Sequence, residues 1–189
     1  VSVFLNFELK ADLGPLLGWA AGNPKREALL RQQVTQLATD QTLKLWREVV
    51  LRTPVNTGKL SQSITHTSQA EIAMMAAAGH VRAAVYSAPP VGGVKGYALP
   101  VETGTRPHVP PLEPLLLWAA QRARDKGKGI KDVTGFAQAV RWHIARHGTV
   151  GAKMFEQAWA GEAAGMLAAW EALVDKLADA WVASGNKAG

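Results

Sequence analysis

Two short turn sequences divide this chain. The first is Thr53, Pro54, Val55, Asn56, Thr57, Gly58, Lys59, Leu60, and the second is Glu102, Thr103, Gly104, Thr105. Outside them the apolar residues recur at helical spacing; between them the spacing turns strand-like and a Gly/Pro-rich segment interrupts it. A chain divided in this way has to make its sheet from the middle and cover it with helices from both flanks. The expected class is therefore α+β: a small antiparallel sheet of about three to four strands packed against a long N-terminal helix and a C-terminal helix, with extra helices before the last one.

The flanks carry the clearer signals. Asn23 followed by Pro24 places a capping residue before a proline at the first helical position, where its missing N–H costs nothing. From there Leu30, Val34, Leu37 and Ala38 form a stripe that widens through Leu43, Leu45, Trp46, Val49 and Val50. A helix apolar on more than one side needs cover on more than one side. It ends at Thr53, because Pro54 disfavours helical angles in the residue before it, which predicts a helix over 24–52. Ahead of it, Val1, Val3, Leu5, Phe7 and Leu9 suit a short edge strand, and Asp12 caps a short helix through Leu16, Leu17 and Trp19. At the other end Phe155, Trp159, Ala163, Met166, Trp170, Leu173, Leu177 and Trp181 fall within about 80° of arc on a helix. That stripe either faces the core or is shared with another subunit.

In the middle, Leu60, Gln62, Ile64 and His66 alternate with Ser61, Ser63, Thr65 and Thr67 and read as a strand. Glu71 to Ala78 and His80 to Ser87 read as a hairpin turning at Gly79 and His80, although the run Ala76 to Ala78 is equally compatible with helix. Pro89, Pro90, Val91, Gly92, Gly93, Val94, Lys95 and Gly96 read as a mobile exposed loop over 88–96. Tyr97 to Glu102 restores a short helical turn that Gly104 stops. Helices then follow over Leu112 to Arg124 and Phe136 to His147, joined by the polar connector Lys126 to Asp132 and ended by Gly148.

With 189 residues, 48% of them hydrophobic, the chain suits one domain over 1–189, with a helix-plus-sheet core over 24–105 and a helical part over 106–183. The absence of cysteine excludes disulfide frameworks, thiolate metal sites and cysteine nucleophiles. Val1 to Leu9 lack the basic start of a secretion signal and no apolar run reaches the length of a membrane span, so a soluble protein without membrane partners is expected. The net charge of +6 is uneven: residues 106–147 hold eight Lys/Arg against three Asp/Glu, a local balance of +5, and residues 152–189 hold three against five, a balance of −2. A basic middle and an acidic end are compatible with ordinary solvated faces, with nucleic-acid binding, or with attraction between neighbouring copies.

No catalytic constellation emerges. His143 and His147 stand four apart on a helix and could meet one metal ion, but Ile144 occupies the place of the water-activating glutamate and no third ligand is near in sequence. The pieces Gly92 to Gly96 and Gly127 to Gly129 lack the spacing of a phosphate loop, and no serine sits in a Gly-x-Ser-x-Gly elbow. Glu102 is the only acid between Glu71 and Glu113, which leaves no local carboxylate pair. The expectation is a non-enzyme with no catalytic, cofactor-binding or metal-binding residues. Nucleic-acid binding is the alternative, through Trp118 and Trp142 beside Arg122 and Arg141, although both tryptophans lie on apolar stripes that a core would use.

The turn residues also carry a resemblance. Pro54, Val55, Asn56, Thr57, Gly58, Lys59, Leu60, then Ser63 and Ile64, and later Tyr97, Ala98, Val101, Glu102, Thr103, Gly104, Thr105, resemble the pattern of the tail-completion or head–tail joining (neck) family of long-tailed bacteriophages. Gly148, Thr149, Lys153, Met154 and Phe155 resemble that family's late segment leading into its last helix. The extra helices between Leu112 and His147 depart from the pattern. The resemblance implies a structural virion protein that forms a homo-oligomeric ring, often a hexamer, as a connector at the neck or head-proximal tail end. Its partners would be copies of itself, neighbouring head-connector and tail proteins, and DNA passing through the channel without sequence readout. Its location would be the virion, after assembly in the host cytoplasm. On this reading Pro54, Asn56, Thr57, Gly58, Tyr97, Glu102, Gly104 and Thr105 are fold-defining turns, and Pro89, Pro90, Val91, Gly92, Gly93, Val94 and Lys95 form a partner-contact loop.

Overall fold

Strand β1 (Asn6–Asp12) leads into the short helix α1 (Gly14–Ala20) and then into α2 (Pro24–Arg52), around which the rest of the molecule is arranged. The computed structural model describes residues 6–54, 58–88, 98–125 and 132–183. After α2 come α3 (Lys59–Ser63), β2 (Ile64–His66), α4 (Gln69–Ala77) and β3 (His80–Ser87). The second half holds α5 (Ala98–Thr103), β4 (Gly104–Thr105), α6 (Leu112–Asp125), α7 (Val133–His147), β5 (Thr149–Val150) and α8 (Met154–Ala183).

The α+β class is as expected, and α2 begins and ends where its caps require. Asn23 accepts a hydrogen bond from the Arg26 N–H with Pro24 inside the first turn, and Thr53 leaves the helix in an extended conformation before Pro54. Its wide apolar surface is covered on several sides, by α8, by α4 and by the sheet. The sheet has the order β1-β3-β2 and is antiparallel throughout. Central β3 alternates as read, with Val81, Ala83 and Val85 buried. Of the edge strand expected over Val1 to Leu9, the described part begins at Asn6 and runs on to Asp12, paired from Asn6↔Tyr86 to Asp12↔His80.

Two elements differ from the sequence reading. Residues Lys59 to Ser63 are a single helical turn rather than strand, because the left-handed Gly58 (φ 72°) redirects the chain into it. The hydroxyls of Ser61 and Ser63, which looked like one face of a sheet, donate instead to the carbonyls of Gly58 (2.9 Å) and Leu60 (2.7 Å). Only Ile64 to His66 is strand. Nor is there a hairpin at Gly79: Gln69–Ala77 is helical, started by a reciprocal box in which Ser68 accepts from the Glu71 N–H and Glu71 accepts from the Ser68 N–H (2.8 Å). Gly79 (φ +90°) then ends this helix and feeds β3.

The Ser68 backbone N–H holds the Glu71 carboxyl below its ordinary value of 4.5. A depressed carboxylate contributes stability that is present above its unfolded value and is lost as pH falls through the folded one. Glu71→Gln is therefore expected to flatten the acid side of the stability-versus-pH curve below about pH 4.5 while leaving the neutral side level, as urea melts across pH would record.

Among the described residues two apolar clusters fill the interior. One joins Leu13, Leu30, Val34, Ile72, Val81 and Leu177; the other joins Leu45, Val49, Leu60, Val85, Met154 and Phe155. Between them, buried Gln41 ties α2 to α8, donating to the Met166 carbonyl (3.0 Å) and accepting from the Trp170 indole N–H (2.7 Å). The α8 stripe thus faces inward along much of its length, at Phe155, Met166 and Leu177. Gln41→Ala strands the indole donor in the interior, with an expected loss of about 1–3 kcal/mol in urea unfolding.

Candidate functional site

Both turns bracketing the sheet segment converge on one place, the first turn of α8. From the first, Thr53 is buried; its hydroxyl donates to the Val49 carbonyl (2.7 Å) and lies 3.3 Å from Met154 Sδ. From the second, Glu102 sits at the end of α5 with only 6% of its surface exposed. Its two carboxylate oxygens accept the backbone N–H groups of Phe155 (3.0 Å) and Glu156 (2.9 Å). The Lys153 N–H goes to the Glu102 carbonyl (3.1 Å), and the Gln157 N–H to the Lys153 carbonyl (2.8 Å). A helix leaves its first N–H groups without internal partners, and its positive end favours an anion. Glu102 is that anion, supplied by a segment more than fifty residues earlier in the chain.

The glycines explain how the carboxylate gets there. β4 and β5 pair antiparallel, Gly104 opposite Val150 and Thr105 opposite Thr149, with the two threonine hydroxyl oxygens 3.0 Å apart. Gly104 adopts φ +80°, and a side-chain carbon there would stand 2.1 Å from the Thr149 carbonyl oxygen. Gly151 has the same constraint against the Glu102 carbonyl (2.1 Å), and Gly148 ends α7 with its N–H on the Ile144 carbonyl (2.8 Å). The two backbones touch with no room between them. The result is a clasp that joins α5, the root of the α6–α7 pair and the start of α8.

That clasp also closes the loop from which α6 and α7 project. These two helices pack chiefly on each other. Trp118 stacks on Phe136 (5.7 Å between rings) and the Arg122 guanidinium lies over Trp118 (5.2 Å). Arg141 Nε donates to the Pro110 carbonyl (3.0 Å). Of their described side chains, Ala119 and Ala137 are the fully buried ones. Leu117 is 70% exposed and Trp142 66%, so Trp142, expected on a core stripe, is on the surface instead. The reason is that a lone helical pair has only one covered side.

The remaining predicted site residues separate into two groups. Pro54 and Gly58 are turn residues as described; Asn56, Thr57, Tyr97 and the partner-contact segment Pro89 to Lys95 lie outside the described residues. His143 and His147 bring their rings to 4.8 Å on the exposed side of α7. Among the described residues no group of three or more His, Asp or Glu is placed to hold a metal ion. A cleft of about 140 Å³ between the start of α2 and the end of α8 is lined by Leu29, Leu30 and Leu177 with Arg26, Gln33 and Lys176, a lining without a paired acid and base. No helix among the described residues is long and apolar enough to cross a membrane. The residue missed in the sequence is Gly151, whose role depends on contact with residues nearly fifty positions away. Compared with protein families, with curated proteins and with solved structures, the chain finds no match.

Proposed function

We propose that this chain is a non-enzymatic structural subunit of a long-tailed bacteriophage. Copies of it form a ring, six in the pattern it resembles, at the neck or the head-proximal end of the tail, where the ring joins head to tail and lets DNA pass without reading its sequence. The observation that carries this reading is the clasp. The residues that bear the resemblance, Glu102, Gly104 and Thr105, spend their polar groups and their lack of side chain on fixing α8 and the α6–α7 pair to the core. What such a frame presents to its surroundings is contact surface: a basic helical pair with Leu117 and Trp142 exposed, and a long helix with apolar residues on its outer side. A rigid frame carrying distinct contact surfaces suits an assembly subunit. Inactivating the gene in the phage is expected to accumulate filled heads and complete tails that do not join, visible by electron microscopy. A normal yield of joined particles contradicts the proposal.

A second reading is favoured by one observation, the exposed Trp142 with Arg146 one turn along the same helix. Such a pair can stack on a base and neutralise a phosphate. It requires DNA binding that weakens steeply with salt and is lost in Trp142→Ala combined with Arg146→Ala; no binding at low salt removes it.

A further inference from the structure

Two of the five histidines stand together on the outer side of α7. His143 and His147 are one turn apart and about 40° apart around the helix, and their rings approach to 4.8 Å between centroids. Both side chains are exposed. Among the described residues neither ring has a hydrogen-bond or ion-pair partner. His66 and His108 differ, since their Nδ1 atoms lie 3.0 Å and 2.9 Å from the carbonyls of Thr67 and Arg106. No Asp or Glu occurs between Asp132 and Glu156, so no carboxylate on α7 or in the turn after it competes for the two rings. His147 is also the last residue of α7, where the helix presents the negative end of its dipole.

We propose that His143 and His147 form a two-histidine site for a divalent transition ion of the zinc, nickel and copper class. Neutral imidazole is a favoured ligand of these ions, and a spacing of four on a helix sets two of them toward a common ion. Two protein donors leave the other coordination positions to water, so the site is open and exchangeable, unlike a closed structural centre with four protein ligands. It is not a hydrolytic centre, because Ile144 stands where a water-activating glutamate would be. The ion acts as a clip across the last turn of α7. Gly148 follows that turn directly, and its backbone abuts the Thr105 carbonyl in the clasp, so ordering the turn firms the root from which α7 projects. Arg146, on the same side of α7, works against a bound cation; Arg141 is engaged by the Pro110 carbonyl. The site stands independently of the ring reading.

The test is titration calorimetry of the full chain with zinc chloride and with nickel chloride slightly above neutral pH, joined to urea unfolding with and without each ion. The expected result is one ion per chain and an unfolding midpoint that rises once the ion exceeds its dissociation constant. Magnesium, which takes oxygen ligands, should give neither. Acidification to about pH 5 should release the ion, because protons compete for the imidazoles. His143→Ala and His147→Ala are each expected to abolish the midpoint shift, whereas His80→Ala, at an exposed histidine on β3, should leave it intact. Circular dichroism checks that each of these exposed-site variants folds. No ion taken up by the unaltered protein, or uptake undiminished in either His143→Ala or His147→Ala, overturns the proposal and leaves the ring reading standing.

Discussion

Gly104→Ala is expected to cost about 3 kcal/mol or more, a large share of the roughly 5–15 kcal/mol that holds a typical domain folded. Two effects add. The left-handed φ of +80° is unfavourable for any residue with a side-chain carbon, by about 1–2 kcal/mol. The new carbon would also stand 2.1 Å from the Thr149 carbonyl oxygen, a backbone atom that cannot step aside without opening β4 from β5. Opening that pair withdraws Glu102 from α8, so the damage spreads beyond the turn. Gly165→Ala in α8 is the control: nothing lies within 4 Å of its added carbon and its φ is ordinary, so it should stabilise by about 0.5–1 kcal/mol. Urea unfolding of the two variants should move the midpoint in opposite directions.

Glu102→Ala removes the cap of α8 and takes away the carboxylate to which the N–H groups of Phe155 and Glu156 donate. A lost helix cap costs about 0.5–2 kcal/mol, and a hydrogen bond to a charged group about 1.5–3 kcal/mol. The expected total is about 2–4 kcal/mol, or about 5–12 °C in melting temperature for a chain of this size. Glu102→Gln keeps one acceptor and turns an amide toward the second donor, so it should recover no more than half of the loss. A Glu102→Ala variant that melts with the unaltered protein would remove the cap from the account of how α8 is held.

Legibility in the sequence follows the range of the interaction. The bounds of α2 could be read because Asn23, Pro24 and Pro54 act on neighbouring residues, and β3 could be read because Val81, Ala83 and Val85 alternate. Helix α4 carried an equally local signal in Ser68 and Glu71, but Gly79 beside a strand-like run suggested a hairpin, and the capping pair was the better guide. The α3 turn went unread because serines that bond their own helical carbonyls have the same spacing as serines on a strand. The clasp was legible only as residues of interest. Glu102 looked like an isolated acid, since the N–H groups it serves belong to a helix more than fifty residues on. The exposed side of Trp142 was hidden for a related reason: periodicity marks an apolar face and does not say what covers it.

The central claim is that this chain is made to assemble with copies of itself. Native mass spectrometry of the purified full chain, across a wide range of concentration and with electron microscopy of the same sample, addresses it most directly. The account predicts a closed oligomer of one defined copy number that appears as annular particles, formed alone or on addition of the phage connector. A protein that remains a single copy at every concentration, with and without that connector, contradicts it.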